Sequence, residues 1–74
     1  MNISRLLRKN EVLVLCAISH STLYRMIKSG SFPEPVAVTG QRSVAWREDD
    51  IERWINARPR VPLTRVQIID DGEV

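Results

Sequence analysis

Cysteine and histidine are nearly absent from this chain of 74 residues, which contains one of each, Cys16 and His20. A single cysteine can form no disulfide within the chain and cannot build a zinc site from thiolates, and this usage fits a reducing compartment. His20 has no cysteine or second histidine at ligand spacing, so we predict neither a metal site nor a general base there. We expect His20 to be the first exposed residue of a helix.

Long apolar runs are also absent, and none approaches the ~20 residues that a membrane-spanning helix needs. The run VLVLCAI follows three basic residues and superficially resembles a secretory signal, but it is only seven residues long. The bulky Leu15 lies before Cys16, where a lipoprotein cleavage site needs a small residue. We therefore expect a cytoplasmic protein that does not contact a membrane.

The short chain leaves little room for a deep pocket with a catalytic shell, because it lies near the lower size limit for one independently folding domain. No nucleophile–base pair or glycine-rich phosphate loop can be assembled from it. The acidic cluster Glu48, Asp49, Asp50 and Glu52 could hold a cation, but carboxylates are favoured at the start of a helix, and we prefer that interpretation. The sequence predicts a binding module without enzymatic activity, cofactor or small-molecule substrate.

Charge is distributed unevenly along the chain, although the total is only +2. Residues 1–47 contain seven Lys or Arg and two Glu, a net charge of +5. Residues 48–74 contain four Arg and seven Asp or Glu, a net charge of −3. A basic N-terminal half favours an anionic partner, and nucleic acid is the first candidate. Ordinary scatter of charge over a solvated surface is the alternative.

Two short helices joined by a tight turn are predicted between residues 9 and 30. Val12, Leu15 and Cys16 have the i, i+3, i+4 spacing of one buried face, which predicts a first helix from about residue 9 to 16. In the stretch SHSTLYRMIKSG, Ser19 is a good N-cap and Gly30 suits the left-handed position that ends a helix. Such a pair is the helix-turn-helix pattern.

A β-hairpin and a third helix complete the predicted domain. Apolar residues alternate with polar or small ones on either side of the turn TGQRS, which is typical of a short hairpin and places Arg42 at its tip. The third helix is expected from about Glu48 to Arg58. Ile51, Trp54 and Ile55 have the spacing of a buried face, with Trp54 at the centre of the core. The predicted fold class is therefore mainly α with a small β-hairpin, a winged helix-turn-helix over residues 1–60.

The second helix has a polar face that packing within the domain does not explain. Leu23, Met26 and Ile27 define its buried side, and Arg25 and Lys28 project from the opposite side. In a helix-turn-helix protein that outer face enters the major groove of DNA. The alternative is the solvated side of an ordinary amphipathic helix. The candidate DNA-binding residues are Ser19, His20, Ser21, Thr22, Tyr24, Arg25, Lys28, Gln41, Arg42 and Ser43.

Each candidate side chain suits a different part of a DNA duplex. Arg25 can offer two parallel donors to a guanine edge, whereas Lys28 and Tyr24 suit the sugar–phosphate backbone. Ser21 and Thr22 can bond either a base or a phosphate. Arg42 at the hairpin tip suits a minor groove, where the negative potential attracts arginine. Arg5, Arg8 and Lys9 precede the first helix, where they could clamp phosphates.

Residues 5–58 resemble the AlpA-like phage regulatory proteins and prophage excisionases, which are small winged-helix relatives of the MerR-type DNA-binding domain. SHSTLYRMIKSGSFPEPV and VAWREDDIERWI carry the resemblance most specifically. It implies sequence-specific binding of double-stranded DNA by the second helix and the wing. Family members act as transcriptional regulators, or as recombination directionality factors that bend attachment-site DNA and assist an integrase.

Two residues depart from that family pattern, and residues 61–74 have no counterpart in it. Ala17 stands in the turn where the family often has glycine, so it must adopt a left-handed conformation at some cost. His20 replaces what is commonly arginine. Residues 61–74 form a loose extension, an edge strand or a contact for a partner, with Val66, Ile68 and Ile69 apolar.

A second class of function is a protein-interaction module that docks on an integrase or RNA polymerase without reading DNA. A second copy bound cooperatively on an adjacent site is the other expected partner.

Overall fold

The computed structural model describes residues 3–63, and in that range the chain forms three α-helices and three short β-strands. In chain order they are β1 Leu6–Leu7, α1 Lys9–Cys16, α2 His20–Ser29, β2 Val36–Thr39, β3 Ser43–Arg47 and α3 Glu48–Asn56. The strands form an antiparallel sheet in the order β1-β3-β2. Helices α1 and α2 form the helix-turn-helix, and the β2–β3 hairpin is the wing. The predicted winged helix-turn-helix is confirmed.

The turn between α1 and α2 has the backbone that the sequence predicted. Ala17 has φ 58° and ψ 43°, which is the left-handed conformation. Its amide donates to the carbonyl of Val14 at 3.3 Å, and the amide of Ile18 donates to the carbonyl of Leu13 at 3.2 Å. These bonds satisfy the last carbonyls of α1 and turn the chain at once into α2.

The core is built around Trp46 rather than around Trp54. The largest fully buried side chains of the described residues are Leu7, Val12, Leu23, Trp46 and Ile51, with Phe32 almost completely buried beside them. Trp54 is only partly buried and packs on Phe32 at the edge of this cluster, with ring centroids 4.8 Å apart. The expectation that Trp54 occupies the centre was therefore wrong, because α3 presents Ile51 to the core and Trp54 to its margin.

Strand β1 was missed by the sequence analysis because two residues contain no alternating pattern. Leu6 and Leu7 pair with Arg47 and Trp46 of β3, and this brings the preceding residues against the start of α3. The amide of Glu48 donates to the carbonyl of Arg5 at 2.7 Å. The hydroxyl of Ser4 donates to Asp49 Oδ1 at 2.9 Å and accepts from the Asp49 amide at 3.3 Å. Free amides in the first turn of α3 are thus satisfied by a distant segment of the chain.

Two indole groups fix the link between α2 and the wing. Trp46 Nε1 donates to the carbonyl of Pro33 at 2.9 Å, and Trp54 Nε1 donates to the carbonyl of Ser31 at 3.0 Å. Gly30 ends α2 in the left-handed conformation, as predicted, with φ 82°. The wing is consequently held at a fixed position relative to α2 by contacts from both β3 and α3.

The chain continues beyond α3 as an exposed segment. Helix α3 ends at Asn56, two residues before the predicted end, and every residue from 57 to 63 is exposed. The expected roles of Val66, Ile68 and Ile69 lie outside the described residues. Between residues 3 and 63, no helix is both long and apolar enough to cross a membrane.

Candidate nucleic-acid interface

Helix α2 presents one face to the core and the other to solvent. Leu23 is fully buried, and Met26 and Ile27 pack partly buried against the same cluster. Arg25 and Lys28 are exposed, as are Ser21 and Tyr24. The structure therefore places these four predicted side chains on the open side of α2.

The start of α2 contains a local network of hydroxyl groups. Ser19 Oγ accepts from the Thr22 amide at 3.2 Å, which is the predicted N-cap, and it donates to Thr22 Oγ1 at 2.9 Å. A guanidinium nitrogen of Arg25 lies 3.5 Å from the same Thr22 hydroxyl. Ser19 and Thr22 are thus engaged with each other and half-buried, whereas Ser21 beside them is exposed. Of the three hydroxyls, Ser21 is the most accessible to a ligand.

Two aromatic rings lie together on the outer surface of α2. The centroids of His20 and Tyr24, one turn apart, are separated by 4.7 Å. The ammonium of Lys9, from the first turn of α1, lies 5.9 Å from the centroid of the Tyr24 ring. This distance is within the range of a cation–π contact. Lys9 therefore belongs to the same surface as the exposed face of α2, which only the packing of α1 against α2 could reveal.

The three basic residues that the sequence grouped together occupy different environments. Arg5 lies between two carboxylates, 3.5 Å from Glu11 and 3.8 Å from Glu48. The Arg8 guanidinium donates to the Val44 carbonyl at 3.2 Å and lies 3.4 Å from the Ser43 hydroxyl. Arg5 is therefore largely neutralised by neighbouring charges, Arg8 ties the N-terminus of α1 to the base of the wing, and Lys9 faces α2.

The tip of the wing is a polar turn. Gly40 has φ 72°, a conformation that favours glycine, and Gln41 and Arg42 beyond it are exposed. Ser43 begins β3 and is half-buried against Arg8. Gln41 and Arg42 are thus accessible at the end of the hairpin, whereas Ser43 is partly enclosed at its base.

The acidic cluster lies on the other side of the domain, at the start of α3. Glu48, Asp49 and Asp50 form the first turn of that helix, as predicted. The hydrogen bond from Ser4 is the main reason that the pKa of the Asp49 carboxyl lies below its ordinary value. Within residues 3–63, no three His, Cys, Asp or Glu side chains are grouped in a way that could hold a metal ion.

Cys16 is a packing residue in this arrangement. It is half-buried against the core, and burial raises the pKa of its thiol. A thiol with a raised pKa is mostly protonated at neutral pH and is therefore a poor nucleophile.

The fold and the arrangement of exposed side chains define a winged helix-turn-helix protein. The family model of the prophage CP4-57 regulatory protein (AlpA) matches residues 5–59. The chain therefore belongs to the AlpA family of phage regulatory proteins, as its resemblance indicated.

One relative is a protein of Enterobacteria phage P4. This uncharacterised protein, ORF88, is 41% identical to this chain over 54 residues, which is 73% of this chain and 60% of the phage protein. The similarity thus extends over less than two thirds of that relative. No solved structure is similar enough to this chain to count as a match.

Proposed function

We propose that this protein binds double-stranded DNA sequence-specifically, with α2 in the major groove and the wing on the neighbouring backbone. The observation that carries the proposal is the open face of α2. Among the described residues, the ion pairs involve Arg5 and Arg53, so Arg25 and Lys28 on that face have no carboxylate partner. An exposed helix with free cations, flanked by a wing, is the arrangement that docks in a major groove.

Base recognition is assigned to the centre of α2. Arg25 can place two parallel N–H groups on the O6 and N7 acceptors of a guanine, and Ser21 can bond a neighbouring base edge. The contact between Arg25 and the Thr22 hydroxyl pre-orients the guanidinium along the helix. These residues would determine which sequence is bound.

Phosphate binding is assigned to residues that surround α2. Lys28 lies on the last turn of the helix, and Lys9 and His20 lie beside Tyr24. Gln41 and Arg42 extend from the wing, where Arg42 suits either the minor groove or a phosphate. Contacts of this kind fix the position of the protein on the duplex and contribute the salt-dependent part of the affinity.

Selection from a random duplex library followed by fluorescence anisotropy tests the proposal. We expect one sequence to be enriched, and its affinity to fall steeply as salt is raised, because bound phosphates release counterions. Lys28→Ala and Arg42→Ala should each reduce the salt slope by about one. Arg53→Ala is the matched control, because Arg53 pairs with Asp50 on α3 and should leave binding unchanged.

The alternative, an interaction module that docks on an integrase or polymerase, predicts a different result. Such a protein would enrich no sequence and would bind no duplex at low salt. That outcome would overturn the DNA-binding proposal.

We further propose that this DNA-binding protein regulates a prophage or genomic island in the bacterial cytoplasm. It acts there either as an excisionase or as a transcription factor. Both roles use the same surface. An excision assay on the native element, with and without this protein, separates them. If excision is lost when the protein is absent, the protein is an excisionase. If excision is unchanged but transcription of the element is altered, the protein is a transcription factor.

A further inference from the structure

A groove on the side of the domain formed by α1 and α3 has an apolar floor and an acidic rim. Leu7 and Ile51 lie at its bottom, Leu15 and Ile55 form its walls, and Glu48 and Glu52 stand at its edge. Its volume is about 310 Å³. Leu15 is 52% exposed and Ile55 is 38% exposed, although the sequence predicted both as core residues. Both residues lie within described helices, so no other described residue fully covers these two large apolar side chains.

The surroundings of this groove extend its apolar surface, and one carboxylate at its edge is unpaired among the described residues. A neighbouring hollow shares Leu15 and adds Val14, which is 79% exposed. Glu52 has no ion-pair or hydrogen-bond partner within residues 3–63. It also lies beyond the first turn of α3, so the helix dipole does not explain its position. The groove therefore suits a ligand that combines apolar side chains with positive charge.

The chain itself contains a segment with that composition. Residues 60–69, RVPLTRVQII, include Arg60 and Arg65 and no acidic residue. Five of the ten side chains are Val, Leu or Ile. The segment is thus complementary to the groove in both charge and hydrophobicity.

The described residues that follow α3 do not line the groove of their own chain. The Arg58 guanidinium lies over the Trp54 ring, 4.1 Å from its centroid, whereas Ile51 and Ile55 point into the groove. Pro59 and Pro62 then restrict the backbone, and Val61 and Leu63 are exposed rather than folded back. Residues 57–63 therefore leave the groove of their own chain open.

We propose that the α1–α3 groove binds residues 60–69 of a second copy of this protein. Arg65 approaches Glu52, because Glu48 already pairs with Arg5 of its own chain. The apolar residues of the segment cover Leu15 and Ile55. Because the two surfaces differ, the contact is heterologous and can join successive copies head to tail. The groove and the open face of α2 are formed by different residues, so the contact does not depend on whether α2 binds DNA.

Sedimentation equilibrium on the full chain without DNA, from micromolar to millimolar concentration, tests this proposal. We expect the weight-average mass to rise with concentration and to fall at high salt. Glu52→Arg and Arg65→Glu should each weaken self-association about tenfold, the change that corresponds to ~1.4 kcal/mol. The double variant Glu52→Arg/Arg65→Glu should regain it, because the charges are exchanged rather than removed. Glu34→Arg, an equal charge change on an exposed loop outside the groove, is the control.

A second measurement uses a synthetic peptide of residues 60–69 with the full chain carrying Arg65→Glu. NMR titration should shift the amide signals of Leu15 and Ile55 and leave those of α2 unchanged. A mass that stays monomeric at all concentrations would overturn the proposal. If Arg65→Glu nevertheless moved the Ile55 amide signal, the segment would dock on the groove of its own chain. Association that is unaffected by Glu52→Arg would also overturn it, since another surface would then join the copies.

Discussion

Arg25 and Lys28 each carry one positive charge on α2, but they differ in what they can recognise. The guanidinium of Arg25 is planar and presents paired donors, whereas the ammonium of Lys28 is a point charge on a flexible stem. Paired donors can distinguish guanine from other bases, whereas a point charge is attracted to any phosphate. We therefore assign sequence preference to Arg25 and sequence-independent affinity to Lys28.

Replacement of Arg25 by alanine tests the first assignment. We expect Arg25→Ala to weaken binding of the selected duplex by about 1–3 kcal/mol and to relax the preference at one base pair. Anisotropy titrations with single-base variants of the duplex measure both effects. Arg53→Ala should change neither, and an unaltered preference in Arg25→Ala would exclude Arg25 from base recognition.

The left-handed backbone of Ala17 leads to a prediction about stability. A side chain at φ 58° is strained, and glycine adopts the same conformation without that strain. We expect Ala17→Gly to raise the free energy of unfolding by about 0.5–1 kcal/mol, after the extra entropy of an unfolded glycine is subtracted. Urea denaturation measures the change.

Ala57 provides the matched control for this substitution. It caps α3 with φ −87° and ψ −2°, which is an ordinary right-handed conformation. Ala57→Gly relieves no strain there and should lower stability. If both substitutions had the same effect, the conformation of Ala17 would not be the cause.

At the scale of elements, the junction between β1 and α3 joins the two ends of the described domain. Ser4 and Arg5, which precede β1, supply acceptors to the amides of Asp49 and Glu48 at the start of α3. Arg8, which follows β1, donates to the base of the wing. Although β1 has only two residues, it positions Ser4 and Arg5 against the start of α3 and Arg8 against the base of the wing.

The bond between Ser4 and Asp49 predicts a pH dependence. Because it lowers the pKa of Asp49 in the folded state, it stabilises the fold above the unfolded pKa, and this contribution is lost as the pH falls through the lowered value. We expect Ser4→Ala to reduce the free energy of unfolding at pH 7 and to reduce it less below about pH 4. Urea denaturation across this range measures the difference.

Asp49→Asn removes the titrating group and serves as the reference background. In that background, Ser4→Ala should have an effect that does not vary with pH, because the asparagine side chain can still accept from Ser4 but does not titrate. A pH-dependent effect there would show that another carboxyl group is responsible.

The helices were predictable because their boundaries are encoded locally. Ser19 and Gly30 mark the ends of α2 through bonds within one turn, and the carboxylates after Arg47 mark the start of α3 because the helix dipole favours them there. The buried faces were less predictable. Leu15 and Ile55 follow the helical spacing, yet the crossing of α1 and α3 leaves both at the surface. Periodicity shows which residues share a face, but it does not show how far the neighbouring element covers that face.

At the scale of the whole molecule, the charges are separated between two sides. The open face of α2 and the wing tip carry cations, and the α1–α3 groove carries carboxylates. DNA would be attracted to the first side and repelled by the second.

Truncation after Arg60 tests whether the domain is complete without the following residues. No core side chain comes from residues 57–63, so we expect cooperative unfolding and DNA binding to be retained, with stability changed by less than about 0.5 kcal/mol. Self-association should be lost, because the segment that fills the groove is removed. Circular dichroism melts and sedimentation measure the two properties, and loss of folding would show that the removed residues belong to the core.

The sequence alone determined the three helices, the hairpin and the polar face of α2, because each depends on residues close together in the chain. The left-handed turn at Ala17 was implied by the family resemblance. Tertiary structure decided which partner each Lys or Arg side chain contacts. Arg5, Arg8 and Lys9 are near neighbours in sequence, but their partners come from α3, β3 and α2 respectively. The open groove between α1 and α3 was decided in the same way, because the distance between two packed helices is set by the side chains that lie between them and not by the pattern of either one.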